Sequence, residues 1–187
     1  MPITTIDPTC ALLVIDLQRG LADAPTLEPV AEIAARTGKL ADAFRRNGQH
    51  VVLVNAIGRA PGRTEKGGNR DQAFPDGWAD MLPELGQTES DHVVSKARWG
   101  AFHDTGLHEH LTALGVTQVV IAGVATSFGV ESTARAAYDH GFHVTIATDA
   151  VTDLDARAHE HTLTYIFPCL AETGTVGEIA AALVARP

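Results

Sequence analysis

Residues 119–134, VVIAGVATSFGVESTA, decide the architecture. The apolar run 119–122 is short and uniformly apolar, as in a strand covered on both faces. Gly123 follows as a turn position. A helix then opens near Thr126 or Ser127, continues through Tyr138 and stops at Gly141. A buried strand feeding a helix through a tight turn is the repeating unit of a parallel α/β sheet.

The same alternation extends outward in both directions. Upstream, strands are expected at 11–15, 51–55 and, more weakly, 92–95, with helices at 29–46 and 107–114. Downstream, a strand at 142–147, a helix at 156–166, a short strand after Cys169 and a helix from about Thr175 complete the chain. Ligands in such sheets sit beyond the carboxyl ends of the strands. Asp16, Asn55, Lys96 and Gly123 all fall at such ends. Residues 56–89 break the rhythm, and a loop of that length in a compact domain is functional or mobile. It carries GRAPGRTEKGG, whose Arg59 and Arg63 are suited to a carboxylate, and the aromatic residues Phe74 and Trp78.

The chain has 187 residues, 45% hydrophobic and 20% charged, which predicts one domain over 1–187. A net charge of −9 argues against nucleic acid and anionic membranes as partners. No run approaches the ~20 apolar residues of a membrane span. The start MPITTIDPTC has no signal-peptide pattern, and two cysteines, Cys10 and Cys169, suggest no disulfide framework. A cytoplasmic location is expected.

Asp16 closes LLVIDLQ and must either emerge at the sheet edge or remain a costly buried charge. Its ordinary alternative is a loop-capping role. Lys96 closes HVVSK; alone it reads as a solvated edge residue, but beside Asp16 it would favour the charged form of each. Thr126 and Ser127 read as helix N-caps, and the amides of 126–129 as a potential anion site. ARWGAF (97–102) places Trp99 and Phe102 as candidate pocket walls. The nine histidines include the i,i+2 pairs His108/His110 and His159/His161, which point to different helix faces. They read as surface residues, and no metal is expected.

Together LLVIDLQ, the Lys96 strand, GVATSFGVESTARAAYDHGFHVTIATDAVTD and HTLTYIFPCLAETGTVGEI resemble the isochorismatase-like hydrolases over nearly the whole chain. The resemblance implies a three-layer α/β/α sandwich with a central, mostly parallel, Rossmann-like sheet, assembled as a homo-oligomer. It implies Asp16 and Lys96 as catalytic residues, with Gly129 at the position of the nucleophilic cysteine used by the cysteine-hydrolase branch. It also implies a small-molecule site around Gln18, Asn55, Trp99, Phe102, Val124, Ala125, Thr126, Ser127 and Phe128, with a non-proline cis peptide between Val124 and Ala125. The nicotinamidases in this group carry a metal-binding Asp-x-His segment where this chain has NAIGRAPG, so neither metal nor cofactor is expected. Cysteine members hydrolyse amides through an acyl-enzyme. Isochorismatases need no thiol, because their Asp protonates a vinyl ether and water completes the release of pyruvate. A chain with Asp16, Lys96 and Gly129 follows the second logic. It departs from it at Ala125, Thr126 and Ser127, where isochorismatases usually have an aromatic residue and a His. The expected function is a cofactor-free hydrolase of an unidentified small molecule. The alternatives are an amidase-like hydrolase using water or a hydroxyl, and a catalytically silent binding or assembly protein.

Overall fold

Every residue of β1 (Cys10–Ile15) and β4 (Gln118–Val124) is buried, which requires cover on both faces of the sheet. A computed structural model describes residues 3–65 and 73–185. The 66–72 part of the long loop lies outside the described residues. The remaining elements are α1 (Val30–Arg46), β2 (His50–Ala56), β3 (His92–Lys96), α2 (Leu107–Ala113), α3 (Glu131–Asp139), β5 (His143–Thr152), α4 (Ala156–His161), β6 (Glu172–Gly174) and α5 (Val176–Val184). The six strands lie in the order β3-β2-β1-β4-β5-β6, all parallel.

Alternation along the strands sorts the core into two layers. Leu12, Val14, Leu53, Val120 and Ala122 pack with Ile33, Leu40 and Phe44 of α1 and Ile179 and Leu183 of α5. Ala11, Leu13, Ile15, Val54, Val119 and Ile121 pack on the other face with Leu107 and Leu111 of α2 and Ala134 and Ala137 of α3. The result is an α/β/α sandwich. Fully burying each such side chain is worth about 1.5–3 kcal/mol, so these two layers are the main source of stability.

One strand differs from its expected extent. β5 continues to Thr152 instead of stopping at Ala147. Its register slips against β4, Ile121 pairing with Ile146 but Gly123 with Val151. The bulge absorbs the polar Thr148 and Asp149, and Asp149 Oδ1 accepts from Val176 N at 2.7 Å to cap α5. β1 and β4 approach so closely at their ends that a Cβ on Gly123 would lie 2.0 Å from Ile15 O. With φ at 126°, only glycine suits that position.

Arg45 of α1 anchors the return of the long loop. Its Nε and Nη2 bond Asp91 at 3.0 and 2.8 Å, and Nη2 also reaches Leu85 O. The Asp91 side chain is 1% exposed and also accepts from Thr88 N. The pair is bidentate and shielded, unlike a surface ion pair.

Candidate active site

β1 delivers Asp16 and β3 delivers Lys96, two strands apart, and Lys96 spans the end of β2 to meet its partner. Nζ lies 2.8 Å from Asp16 Oδ2 and 3.2 Å from Arg98 O. Asp16 is 7% exposed and Lys96 2%. Asp16 N extends the ladder by donating to Val54 O at 2.9 Å, and φ then turns to 55°, a left-handed value that Asp tolerates better than most residues. The turn aims the carboxylate off the sheet edge.

Burial pushes the Asp16 carboxyl up from 3.8 to about 6, against the pull of the Lys96 charge and hydrogen bond. Desolvation outweighs the cation here. Asp16 Oδ1 is buried and has no partner among the described residues. With Oδ2 held by Lys96, a proton on this carboxyl belongs on Oδ1.

Gly129 stands beside the pair: a Cβ built on it would lie 3.1 Å from Asp16 Oδ2 and 3.0 Å from Ile15 Cγ2. It belongs to a wide turn, residues 126–130, in which Val130 N donates to Ala125 O across five residues. The peptide between Val124 and Ala125 is cis, and Val124 is buried.

The expected N-caps are corrected. Ala125 occupies the cap position without a side-chain bond. Thr126 Oγ1 is instead fully buried, donating to Thr152 O at 3.0 Å, and Ser127 Oγ is buried without a partner among the described residues. The orphan amide is capped from another strand end, Ser127 N donating to Asp153 Oδ2 at 2.6 Å. Phe128 N is taken by Ala125 O, so the amides of 126–129 do not form an open anion cradle as a set.

Gln18 and Phe102 also depart from expectation. Gln18 is wholly buried and serves the backbone: Oε1 accepts from Ala56 N at 2.7 Å, while Nε2 donates to Ala56 O and Trp78 O. It fastens the long loop to β1, and both of its amide hydrogens are committed to backbone carbonyls. The Phe102 ring lies on His140 and Phe142, centroids 5.2 and 6.0 Å away. Those residues precede β5, at the end of the sheet opposite the carboxyl-terminal ends that carry the pair. Trp99 is 60% exposed and meets Phe128 edge to face at 5.0 Å, forming an outer rim. Asn55, 7% exposed at the end of β2, donates from Nδ2 to Ala79 O at 3.1 Å, and its Oδ1 has no partner among the described residues. Arg59 lies over the Phe74 ring, which stacks on Trp78.

Three residues that were not expected in the site support it. Asp153 is the cap just described. Trp78 fills the space above Gly20 and donates to Ala56 O at 3.1 Å. His159, expected on the surface, is half-buried with Nδ1 2.9 Å from Thr126 Oγ1. Four other histidines stack in pairs on either side of α2, His92 with His110 at 3.7 Å and His108 with His140 at 4.2 Å. Among the described residues no group of three or more His, Cys, Asp or Glu is arranged to hold a metal ion, and no helix is long and apolar enough to cross a membrane. Cys10 is buried and Cys169 exposed.

The Isochorismatase domain model matches residues 10–178. An uncharacterized isochorismatase family protein of Escherichia coli O157:H7, YecD, is 37% identical and aligns over 94% of this chain and 96% of its own length. Nicotinamidase 3 of Arabidopsis thaliana is 34% identical over 82% of this chain and 78% of its own. The structure of an isochorismatase family protein from Burkholderia thailandensis superposes with a TM-score of 0.92 at 35% identity, covering 97% of this chain and 98% of that one. Domain model, sequence relatives and superposition agree with the α/β/α fold and its parallel sheet: the chain belongs to the isochorismatase family of hydrolases.

Proposed function

We propose that this chain is a hydrolase that works without a cysteine nucleophile, using Asp16 as a general acid on a small vinyl ether. The observation that carries the reading is the buried Asp16 carboxyl, tied to Lys96 through Oδ2 and bare at Oδ1, beside a residue with no side chain. An acid with a value of about 6 keeps a useful protonated fraction near neutrality.

In the proposed step Oδ1–H gives its proton to the terminal methylene carbon of the vinyl ether, leaving a cation stabilised by the ether oxygen. Water adds to the adjacent carbon, the one that bears the ether oxygen, and returns a proton to Asp16. The hemiketal then collapses to an alcohol and a ketone, so one water is consumed and the acid is restored. Lys96 stabilises the carboxylate left after the proton transfer, and the open space at Gly129 leaves room for substrate or water.

The test is pyruvate release from isochorismate by the wild type and by Asp16→Ala. Release by the wild type that vanishes in the variant supports the reading, and no release above background removes this substrate. A second reading is favoured by the similarity to Nicotinamidase 3: Asp16 acts as a base, delivering water to an amide. The sign of the pH profile separates them. Acid catalysis declines as pH rises through about 6, whereas base catalysis increases.

A further inference from the structure

The turn that carries Gly129 is tied to the rest of the molecule through Thr126, the residue that opens it. Thr126 is fully buried, and its Oγ1 lies 3.0 Å from Thr152 O and 2.9 Å from His159 Nδ1. α4, which carries His159, runs directly into a second wide turn, Thr162–Ile166. That turn opens in the same way. Thr162 is 1% exposed, and its Oγ1 donates to Glu131 Oε2 at 2.7 Å. Glu131 begins α3, directly after the first turn. Each wide turn therefore starts at a buried threonine held by a side chain from the other turn's helix.

A wide turn interrupts the regular helical ladder and is found most often at functional sites. The His159 ring and the Thr126 hydroxyl form a bond whichever of the two donates. Glu131 is itself steadied by Arg135, whose Nε donates to its Oε1 at 2.9 Å. The first turn lies against Asp16, since a Cβ on Gly129 would stand 3.1 Å from Asp16 Oδ2. Its placement therefore governs how much water reaches the carboxyl. Without His159 the buried hydroxyl keeps Thr152 O alone, and the bond between α4 and the start of the turn is cut.

We infer that His159 is a positioning residue: through Thr126, and in tandem with the Glu131–Thr162 bond, it holds the turn of Gly129 against Asp16. It acts on the chemistry only through that turn. Its effect on rate rests on the reading of Asp16 as the catalytic acid, whereas its effect on the carboxyl does not. A turn that loosens admits water to Asp16. Burial is what raises that carboxyl to about 6 while Lys96 opposes the rise, so wetting moves it back toward 3.8. A fall of about one pH unit cuts the protonated fraction at neutrality about tenfold.

His159→Asn and His159→Leu test it as a pair of similar size and shape. The Asn amide presents a polar atom at the reach of Nδ1, able to donate or to accept, whereas Leu presents only methyl groups. The Asp16 carboxyl carbon is followed by NMR titration, its signal assigned by its absence in Asp16→Asn. In the Leu variant the midpoint should fall by about one pH unit, and in the Asn variant it should stay near the wild-type value. Pyruvate release from isochorismate should lose about tenfold in kcat in the Leu variant, with KM little changed, and the Asn variant should restore it. Thr126→Val removes the hydroxyl from the other side; it should reproduce the Leu effect, add nothing to it in the double variant, and serve if His159→Leu fails to fold. An Asp16 midpoint that stays at the wild-type value in both the Leu and Val variants overturns the inference. An equal shift with Leu and with Asn overturns it too, because packing would then be the cause. A shift confined to the Leu and Val variants, without Asp16-dependent turnover in the wild type, means that the catalytic reading alone has failed. Asp16-dependent pyruvate release with an unmoved midpoint means that the positioning assignment alone has failed.

Discussion

Asp16 permits a sharp test that needs no substrate. Burial holds its carboxyl at about 6 against an ordinary 3.8, with Lys96 opposing the rise. A folded value above the unfolded one means that the native state binds the proton more tightly. The contribution to stability is therefore fully present below 3.8 and is lost as pH rises through about 6. At about 1.4 kcal/mol per pH unit the gap amounts to ~3 kcal/mol. Other carboxylates titrate over the same range, so the useful quantity is a difference. Urea unfolding free energies of the wild type minus those of Asp16→Asn, followed from roughly pH 4 to pH 7, should fall by about 3 kcal/mol. Because Asp16→Asn strands the Lys96 ammonium, the same comparison is repeated in a Lys96→Met background. There the fall should be larger and reach higher pH, since the cation that lowers Asp16 is gone. A difference that is flat, or that grows with pH, would refute the claim that desolvation prevails over the ion pair.

Gly129→Ala should destabilise by about 1 kcal/mol in urea unfolding, because crowding against Ile15 Cγ2 and Asp16 Oδ2 exceeds the gain in helix propensity; a more stable variant would show that the neighbours yield freely. Asp91→Ala should lose about 1.5–3 kcal/mol by removing the shielded bidentate partner of Arg45, which keeps only Asp42 and Leu85 O, and a loss within ~0.5 kcal/mol would demote the anchor to an ordinary surface pair. The stacks beside α2 should make that helix acid-sensitive. His110 lies below its ordinary 6.5 through burial and the nearby His92 and His50, so its contribution is present above that value and lost as pH falls through it. Hydrogen exchange over 107–114, corrected for intrinsic rates, should accelerate between pH 7.5 and 5.5 in the wild type and much less in His92→Phe/His108→Phe. Equal acceleration in both would dismiss the stacks as the cause.

The layered sheet was legible because burial on both faces writes itself as continuous Val/Ile/Leu runs, and the meeting of Asp16 with Lys96 followed from their places at strand ends. What escaped was contact made through side chains far apart in sequence. Thr126 and Ser127 have the composition of N-caps, yet Asp153, from the end of β5, takes the amide. The family resemblance implied substrate contact for Gln18, but its partners belong to β2 and the long loop. Phe102 lies six residues beyond Lys96, and the chain has by then turned toward the other end of the sheet. His159 gave no local sign at all, because its tie to Thr126 depends on how α4 packs. β5 was cut short at Thr148 and Asp149 because a bulge that hides polar residues leaves no periodic trace.

The strand order also bears on how the protein is made. β1, β2 and β3 emerge first and pair among themselves, but β1's other neighbour, β4, begins only at Gln118, more than a hundred residues after β1. Throughout that interval of synthesis β1 offers an open edge whose side chains are apolar on both faces, the kind of surface that invites intermolecular pairing. Asp16 and Lys96 both precede β4 in the chain, so the pair can meet before β4 arrives. Gly129 and the turn that surrounds it cannot join them until the edge is closed. A ribosome-stalled chain ending before β4 should therefore bind chaperones avidly, and one ending beyond α3 should be released.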